Sequence, residues 1–124
     1  MRIFKNTWFT RFADKEGITD GELRGMVNQL EEGQVDADLG GGVYKIRVAR
    51  PGEGKSGGYR VIVFFRSEER TFFQYAFPKS SRANIDQREL RSYKRMAKIK
   101  FAMSDNELAD AINAGELIEV KGAV

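Results

Sequence analysis

The sequence predicts an α+β fold in which an antiparallel sheet follows an N-terminal helical hairpin and precedes C-terminal helices. Three apolar segments with short links lie in the middle of the chain, as in an antiparallel meander. Segments with apolar residues at helical spacing lie before and after them. The chain has 124 residues, 41% hydrophobic and 31% charged, which is typical of one globular domain, so residues 1–124 are taken as a single domain.

The N-terminal region is predicted to contain a short strand and two helices. Residues 1–4 are assigned as an edge strand, and Gly17 is expected to end the first helix. Thr19 and Glu22 form a capping-box pattern at the start of the second helix, which Gly33 ends. The apolar residues that define the two helices are Trp8, Phe9, Phe12, Leu23, Met26, Val27 and Leu30.

The central region is predicted to form three strands, residues 43–50, 59–66 and 71–77, after a glycine run at 40–42. In the first strand alternate side chains point to opposite faces. One face is predicted to carry Tyr44, Ile46 and Val48, and the other Lys45, Arg47 and Ala49.

The C-terminal region is predicted to contain two helices and a last strand. Residues 85–101 form a long basic helix, whose charges are expected to be mostly solvated. Ser104 and Glu107 form a second capping-box pattern, which opens a short helix. Residues 117–120 are assigned as the last strand.

Composition excludes several classes of function. The chain has no cysteine and no histidine, so disulfides, thiol chemistry and the usual zinc sites are ruled out, and no metal or cofactor is expected. No apolar run reaches the ~18 residues of a membrane span, and no signal peptide is visible. The expected compartment is the cytoplasm, without membrane association.

Positive charge is concentrated in the middle of the chain. Residues 43–100 contain 15 Lys and Arg against 5 Asp and Glu, whereas residues 1–42 contain 5 against 8 and residues 101–124 contain 1 against 5. A basic block between acidic ends predicts a polyanionic partner, although part of it could be a solvated helix face.

Residues 49–56, ARPGEGKS, are similar to a phosphate-binding loop with alanine in place of the first glycine. Such loops work because a helix follows and directs its free N–H groups at the phosphate. Here an apolar strand follows, so nucleotide binding is not favoured. A glycine-rich hairpin loop that presents Arg50 and Lys55 to a phosphate-bearing partner is the preferred interpretation.

Two further groups of residues are candidates for binding a phosphate-bearing partner. Lys45, Arg47 and Arg60 are expected to converge on one face, where they would repel one another unless an anion lies there. The alternatives are that each cation pairs with an acidic residue from the helices, or that the face is solvated. On and after the third strand, Tyr75 and Phe77 either stack on a base or belong to the core, and Lys79 and Arg82 lie on a loop.

The stretch DADLGGGVYKIRVARPGEGKSGGYRVIVFFRSEERTFFQYAFPKSSRANI resembles the core of the RelE/HigB superfamily of bacterial toxins. It is most similar to the RelE-like branch with GKSGG-Y/F-R before a hydrophobic strand and F-x-K after the next. The opening WF-RFA and the closing SDNELADAINAGELIEV extend the likeness over nearly the whole chain.

That resemblance implies a fold related to microbial ribonucleases and a type II toxin that cuts mRNA on the translating ribosome without a metal. It also implies an antitoxin partner. Lys45 and Arg47 match the strand cations of the cleavage site, and Arg60 matches an arginine that holds the scissile phosphate. Lys79 falls where some members have another cation. The best-studied branch has a tyrosine near the start of the last helix, where Asn84 or Ile85 stands here.

Cleavage without a metal requires attack by the 2′-OH, a base for its proton and cations for the phosphoryl charge. Arg47 and Arg60 are the expected cations, and Lys45 is the expected base. Tyr59 or Tyr75 could contribute in place of the family tyrosine. The alternatives are a non-catalytic module that binds RNA or the ribosome, and a structural partner of an acidic protein.

Overall fold

Six strands and four helices are found in the part of the chain that the computed structural model describes, residues 1–49, 58–82 and 84–121. The strands are β1 Arg2–Asn6, β2 Ala37–Gly40, β3 Val43–Val48, β4 Tyr59–Arg66, β5 Arg70–Pro78 and β6 Leu117–Glu119. The helices are α1 Thr7–Glu16, α2 Asp20–Glu31, α3 Gln87–Phe101 and α4 Asp105–Asn113. The α+β class is therefore confirmed. None of these helices combines the length and apolar character that a membrane span requires.

All six strands belong to one mixed sheet with the order β2-β3-β4-β5-β1-β6. The predicted meander is confirmed, because β3 pairs antiparallel with β4, and β4 pairs antiparallel with β5. The prediction of a wholly antiparallel sheet is wrong for one pair: β1 runs parallel to β5 and lies inside the sheet, between β5 and β6. Two helices and three strands separate β1 from β5, a connection long enough for parallel pairing.

Strand β2 is an element that the sequence did not predict. It consists of four residues, ADLG, and its pairing with β3 is irregular between Asp38 and Gly40. Aspartate and glycine are depleted in strands, so the local signal was weak. The strand forms because it can pair with the edge of β3.

Strand β4 is the centre of the molecule and is covered on both faces. Its seven residues from Tyr59 to Phe65 are all buried. Val61 and Val63 pack with α1 and α2 in the α1/α2 core, which includes Phe9 and Leu23. The intervening Ile62 and Phe64 pack with α3 and α4 in the α3/α4 core, which includes Tyr93 and Leu108. Any polar side chain on β4 must therefore find its partners within the protein.

The helix boundaries follow from local signals. Gly17 adopts the left-handed conformation that ends α1, and the capping boxes at Thr19 and Ser104 are both formed. A third capping box, of Asp86 and Glu89, starts α3 at Gln87, two residues after the predicted start. Helices α1 and α2 are present as predicted, and their arrangement as a hairpin stays a prediction.

Gly58 allows β3 and β4 to approach closely just before β4 begins. A Cβ atom at this position would lie 1.9 Å from the carbonyl oxygen of Val48. We expect Gly58→Ala to lower the free energy of unfolding by about 1–3 kcal/mol, because the backbone of the hairpin must shift. Urea denaturation of the purified protein measures this change.

Gly25 in α2 is the matched control, because a Cβ atom there would meet no atom within 4 Å. Gly25→Ala should raise stability by roughly 0.5–1 kcal/mol, since alanine has the higher helix propensity. Equal effects of the two substitutions would contradict the close contact at Gly58.

Candidate site of three cations and one carboxylate

Lys45, Arg47 and Arg60 lie together on the face of the sheet that also carries the α3/α4 core. Arg47 and Arg60 are direct partners in the register of β3 and β4, and Lys45 precedes Arg47 on the same face. The alternation predicted for β3 places them there, since Tyr44, Ile46 and Val48 pack toward the α1/α2 core. The structure thus brings together the three cations that the sequence singled out.

Asp36 supplies a carboxylate at the centre of these three cations. Its Oδ1 accepts a hydrogen bond from Arg47 Nε at 2.8 Å, and its Oδ2 lies 3.2 Å from Lys45 Nζ. The same Oδ2 lies 3.8 Å from Arg60 Nε, close enough for an ion pair but too far for a hydrogen bond. An acidic partner is therefore present, but it comes from the segment between α2 and β2 and not from a helix, as the alternative had expected.

Burial makes this cluster energetically important. Lys45 is 9% exposed and Arg60 only 3% exposed, and the Asp36 side chain is 15% exposed. A buried charge without a partner is strongly destabilising, so the carboxylate stabilises both cations. Arg47 is about half exposed, so its ion pair with Asp36 contributes less.

Arg60 is incompletely satisfied. Among the described residues, its Nη1 is the one buried side-chain nitrogen or oxygen atom that has no hydrogen-bond partner. An unpaired buried donor of a charged group is costly, and such atoms in native proteins often belong to functional sites. The guanidinium therefore keeps one donor for which the described residues offer no acceptor.

The pKa of Asp36 reflects these surroundings. Burial by itself raises the pKa of this carboxyl, but hydrogen bonds from Lys45 and Arg47 and their positive charges outweigh burial and hold the pKa below its usual value. Asp36 is thus ionised at neutral pH and is a weak base. Its position suits it to balance charge rather than to accept a proton.

Asn84 closes one side of the cluster. Its Oδ1 accepts a hydrogen bond from Lys45 Nζ at 3.2 Å, and Ile85 is partly buried against the α3/α4 core. Asn84 therefore occupies the site itself, in the neighbourhood where the resemblance led us to expect a tyrosine. An amide can orient Lys45, but it does not act as an acid or a base at ordinary pH.

The aromatic candidates have different environments. Phe77 is the register partner of Arg60 on β5, but it is 2% exposed and belongs to the α3/α4 core, so its ring has no free face for a base. Tyr75 is partly exposed, and its ring centroid lies 4.6 Å from that of Trp8, which is 45% exposed. Tyr59 lies in the α1/α2 core, on the opposite face of β4 from Arg60, and its hydroxyl is bonded to Glu16.

The remaining candidate cations lie around this cluster or outside the described residues. Arg82 forms an ion pair with Glu89 and lies over the ring of Phe77, so its charge is largely balanced. Lys79 is exposed on the turn after β5, where its backbone N–H donates to the carbonyl of Gly58. Arg50 and Lys55 are in the segment 50–57, which lies outside the described residues.

Sequence reasoning missed Asp36 and the contact made by Asn84. Asp36 is one of several acidic residues near the end of α2 and has no local feature that distinguishes it. Only the pairing of Ala37 with Lys45 brings it next to the cations. A search for acidic residues within reach of the paired strands would have found it, had β2 been predicted.

A mixed sheet flanked by helices, with cations gathered on one face, defines a small α+β protein equipped to bind an anion. Residues 1–120 match the family model described as the RelE toxin of the RelE/RelB toxin–antitoxin system. The chain therefore belongs to the RelE toxin family, whose description also implies an antitoxin partner. In the described part of the chain, no three acidic, histidine or cysteine side chains are grouped as metal ligands.

We expect Asp36→Asn to lower the free energy of unfolding at pH 7 by up to about 3–5 kcal/mol, because the charge that balances Lys45 and Arg60 is lost. The folded-state pKa of Asp36 is depressed, so its contribution is present above the unfolded value of about 3.9 and is lost as pH falls through the folded value. The difference in the free energy of unfolding between wild type and Asp36→Asn should therefore become smaller below about pH 4.

Chemical denaturation between pH 3 and pH 7 measures this difference. Asp38→Asn is the control, because Asp38 is exposed two residues further along and should change stability by less than about 0.5 kcal/mol. A wild-type advantage over Asp36→Asn that stays constant down to pH 3 would contradict the assigned ion pairs.

Proposed function

We propose that this toxin is a ribosome-dependent mRNA endonuclease that inhibits translation and works without a metal. The observation that carries the proposal is the buried Arg60 guanidinium, which lies beside Arg47 and Lys45 and whose Nη1 has no hydrogen-bond partner among the residues that the structure describes. Three cations of this kind can hold a phosphodiester and stabilise the charge that builds up on its oxygens during cleavage.

In the proposed reaction the 2′-OH of a nucleotide attacks the adjacent phosphorus. The O2′–P bond forms as the P–O5′ bond breaks, which gives a 2′,3′-cyclic phosphate and a 5′-OH end. Arg60 and Arg47 donate to the non-bridging oxygens, because a planar guanidinium can contact two oxygens at once. Lys45, in its neutral form, is the proposed base that takes the 2′-OH proton. Water supplies the proton that the leaving O5′ takes up, and Lys79 adds positive charge at the exposed side.

The RNA on either side of the cut is proposed to lie along the same face of the sheet. Tyr75 is the candidate for stacking with a base, and Arg82 for contact with the backbone. Arg50 and Lys55 are proposed to reach the RNA from the glycine-rich segment. Phe77, which is buried, is left with a structural role beneath Arg82.

The proposed partners are a cognate antitoxin, mRNA and the ribosome, and the proposed compartment is the cytoplasm. An antitoxin that covers the cationic face with acidic or apolar residues would withdraw Arg47 and its neighbours from RNA. Placement in the RelE-like branch of the RelE/HigB superfamily is also part of the proposal.

A second candidate function is a binding module that stalls translation without cutting RNA. The observation that favours it is Asn84, which contacts Lys45 where the resemblance led us to expect a tyrosine. In that case the cations hold the phosphate, but proton transfer is too slow for cleavage.

We expect Arg60→Lys to relieve the growth inhibition caused by expressing the chain without its antitoxin. Lysine keeps the charge that pairs with Asp36 but loses the planar fork, and loss of one electrostatic donor typically lowers a rate by ~10²–10³. Arg66→Lys is the matched control, because Arg66 ends the same strand but is exposed. Equal toxicity of Arg60→Lys and wild type, with both variants folded, would contradict the assignment of Arg60 as a donor to the phosphate oxygens.

Mapping of mRNA 5′ ends by primer extension after induction separates the two candidate functions. New ends within translated frames, absent when initiation is blocked, are expected for a ribosome-dependent nuclease. Translation arrest with intact mRNA would instead support the binding module.

A further inference from the structure

We propose that Asp36 is an internal competitor for the RNA phosphate: its carboxylate occupies the place among Lys45, Arg47 and Arg60 that a phosphodiester takes when RNA binds. The inference rests on the proposed function, since it concerns the same site. It adds that RNA enters by replacing an anion that the protein already holds. The free energy of RNA binding is therefore the difference between the free energy of the complex with the RNA phosphate and that of the internal complex with Asp36.

The contacts of Asp36 are those expected of a substrate anion. Both carboxylate oxygens are engaged, one by Arg47 at 2.8 Å and the other by Lys45 at 3.2 Å. Arg47 uses its Nε–H for this bond, a donor that a phosphate oxygen could use equally well. While the carboxylate is in place, the donors of Arg47 and Lys45 cannot all form hydrogen bonds with an RNA phosphate.

The carboxylate does not satisfy the cluster completely. It stays 3.8 Å from Arg60 Nε, and Arg60 Nη1 has no hydrogen-bond partner among the described residues. A tetrahedral phosphodiester has two non-bridging oxygens and a larger reach than a planar carboxylate. It could therefore engage Arg60 as well as Arg47, which gives RNA an advantage over the internal anion.

The surroundings of Asp36 allow its side chain to leave. It lies in the irregular segment between α2 and β2, and its backbone N–H is held by the carbonyl of Lys45 at 2.9 Å, so only the side chain must turn. Beside it is a pocket of about 360 Å³, which Gln29 and Gln34 line together with Asp36 and Arg47. The amide groups of the two glutamines could solvate the displaced carboxylate.

The test compares RNA binding by wild type, Asp36→Asn and Asp38→Asn. The probe is a fluorescent oligonucleotide of about ten 2′-O-methyl nucleotides. The protein cannot cleave it by the proposed reaction, because the attacking hydroxyl is methylated. Both substitutions raise the net charge by one, and both positions lie within three residues of each other, so a general charge effect appears in both variants. Fluorescence anisotropy at several KCl concentrations gives the dissociation constants and their salt dependence.

We expect Asp36→Asn to bind about tenfold more tightly than wild type, and Asp38→Asn to differ from wild type by less than about twofold. The decrease of the logarithm of the association constant with log [KCl] should be steeper by about 0.7 for Asp36→Asn. In wild type the displaced Asp36 carboxylate attracts a cation when RNA binds, and this uptake offsets part of the cation release from RNA. If Asp36 only stabilised the fold, replacing it with asparagine would not make the salt dependence of RNA binding steeper. Folded Asp36→Asn with wild-type or weaker affinity would overturn the inference.

The wild-type chain provides a second measurement that does not depend on how the variant folds. The Nε–H resonance of Arg47 should shift on addition of the oligonucleotide, because its acceptor changes from Asp36 to phosphate. An unchanged resonance at saturation would also overturn the inference. If wild type and variant both fail to bind the oligonucleotide, the inference is overturned, because this cluster then does not hold RNA by itself. The ribosome-dependent nuclease is tested separately by the primer-extension experiment, so its failure is a distinct outcome.

Discussion

Burial of the central strand on both faces is the constraint on which the rest of the structure depends. Because β4 is covered by the α1/α2 core on one side and the α3/α4 core on the other, Arg60 has almost no access to water. Its charge must be balanced from neighbouring segments, and among the described residues the Asp36 carboxylate forms an ion pair with it. The short strand β2 matters for this reason: its pairing with β3 holds Asp36 beside the cations.

If this cluster binds RNA as we propose, stability and binding depend on the same side chains. The cations proposed to hold a phosphodiester would destabilise the free protein without an internal anion. The compensation by Asp36 is partial, since one donor of Arg60 has no partner within the described residues. Functional sites commonly violate the rule that buried polar groups are fully satisfied, and the surrounding fold offsets the loss. Here the well-packed strand β4 provides that support.

Local signals in the sequence were sufficient for much of the fold. The capping boxes at Thr19 and Ser104, the glycine that ends α1 and the three strands of the meander all depend on neighbouring residues. The parallel pairing of β1 with β5, the existence of β2 and the place of Asp36 depend on distant segments, which no short window contains. Lys45 and Arg47 were found because they alternate along β3, and Arg60 because it begins the next strand of the hairpin. Their counter-ion was not found, because it comes from another segment. Burial of Phe77 was likewise left open by the sequence, since strand alternation does not say how completely a helix covers a face.

The most direct test of the central claim is a crystal structure of the chain with a short 2′-O-methyl RNA bound. A phosphate is predicted within hydrogen-bond distance of Arg60 Nη1 and Arg47, with the Asp36 carboxylate withdrawn from Lys45. A phosphate bound instead along the exposed basic face of α3, with the ion pairs of Asp36 intact, would contradict the assignment of this cluster as the RNA site.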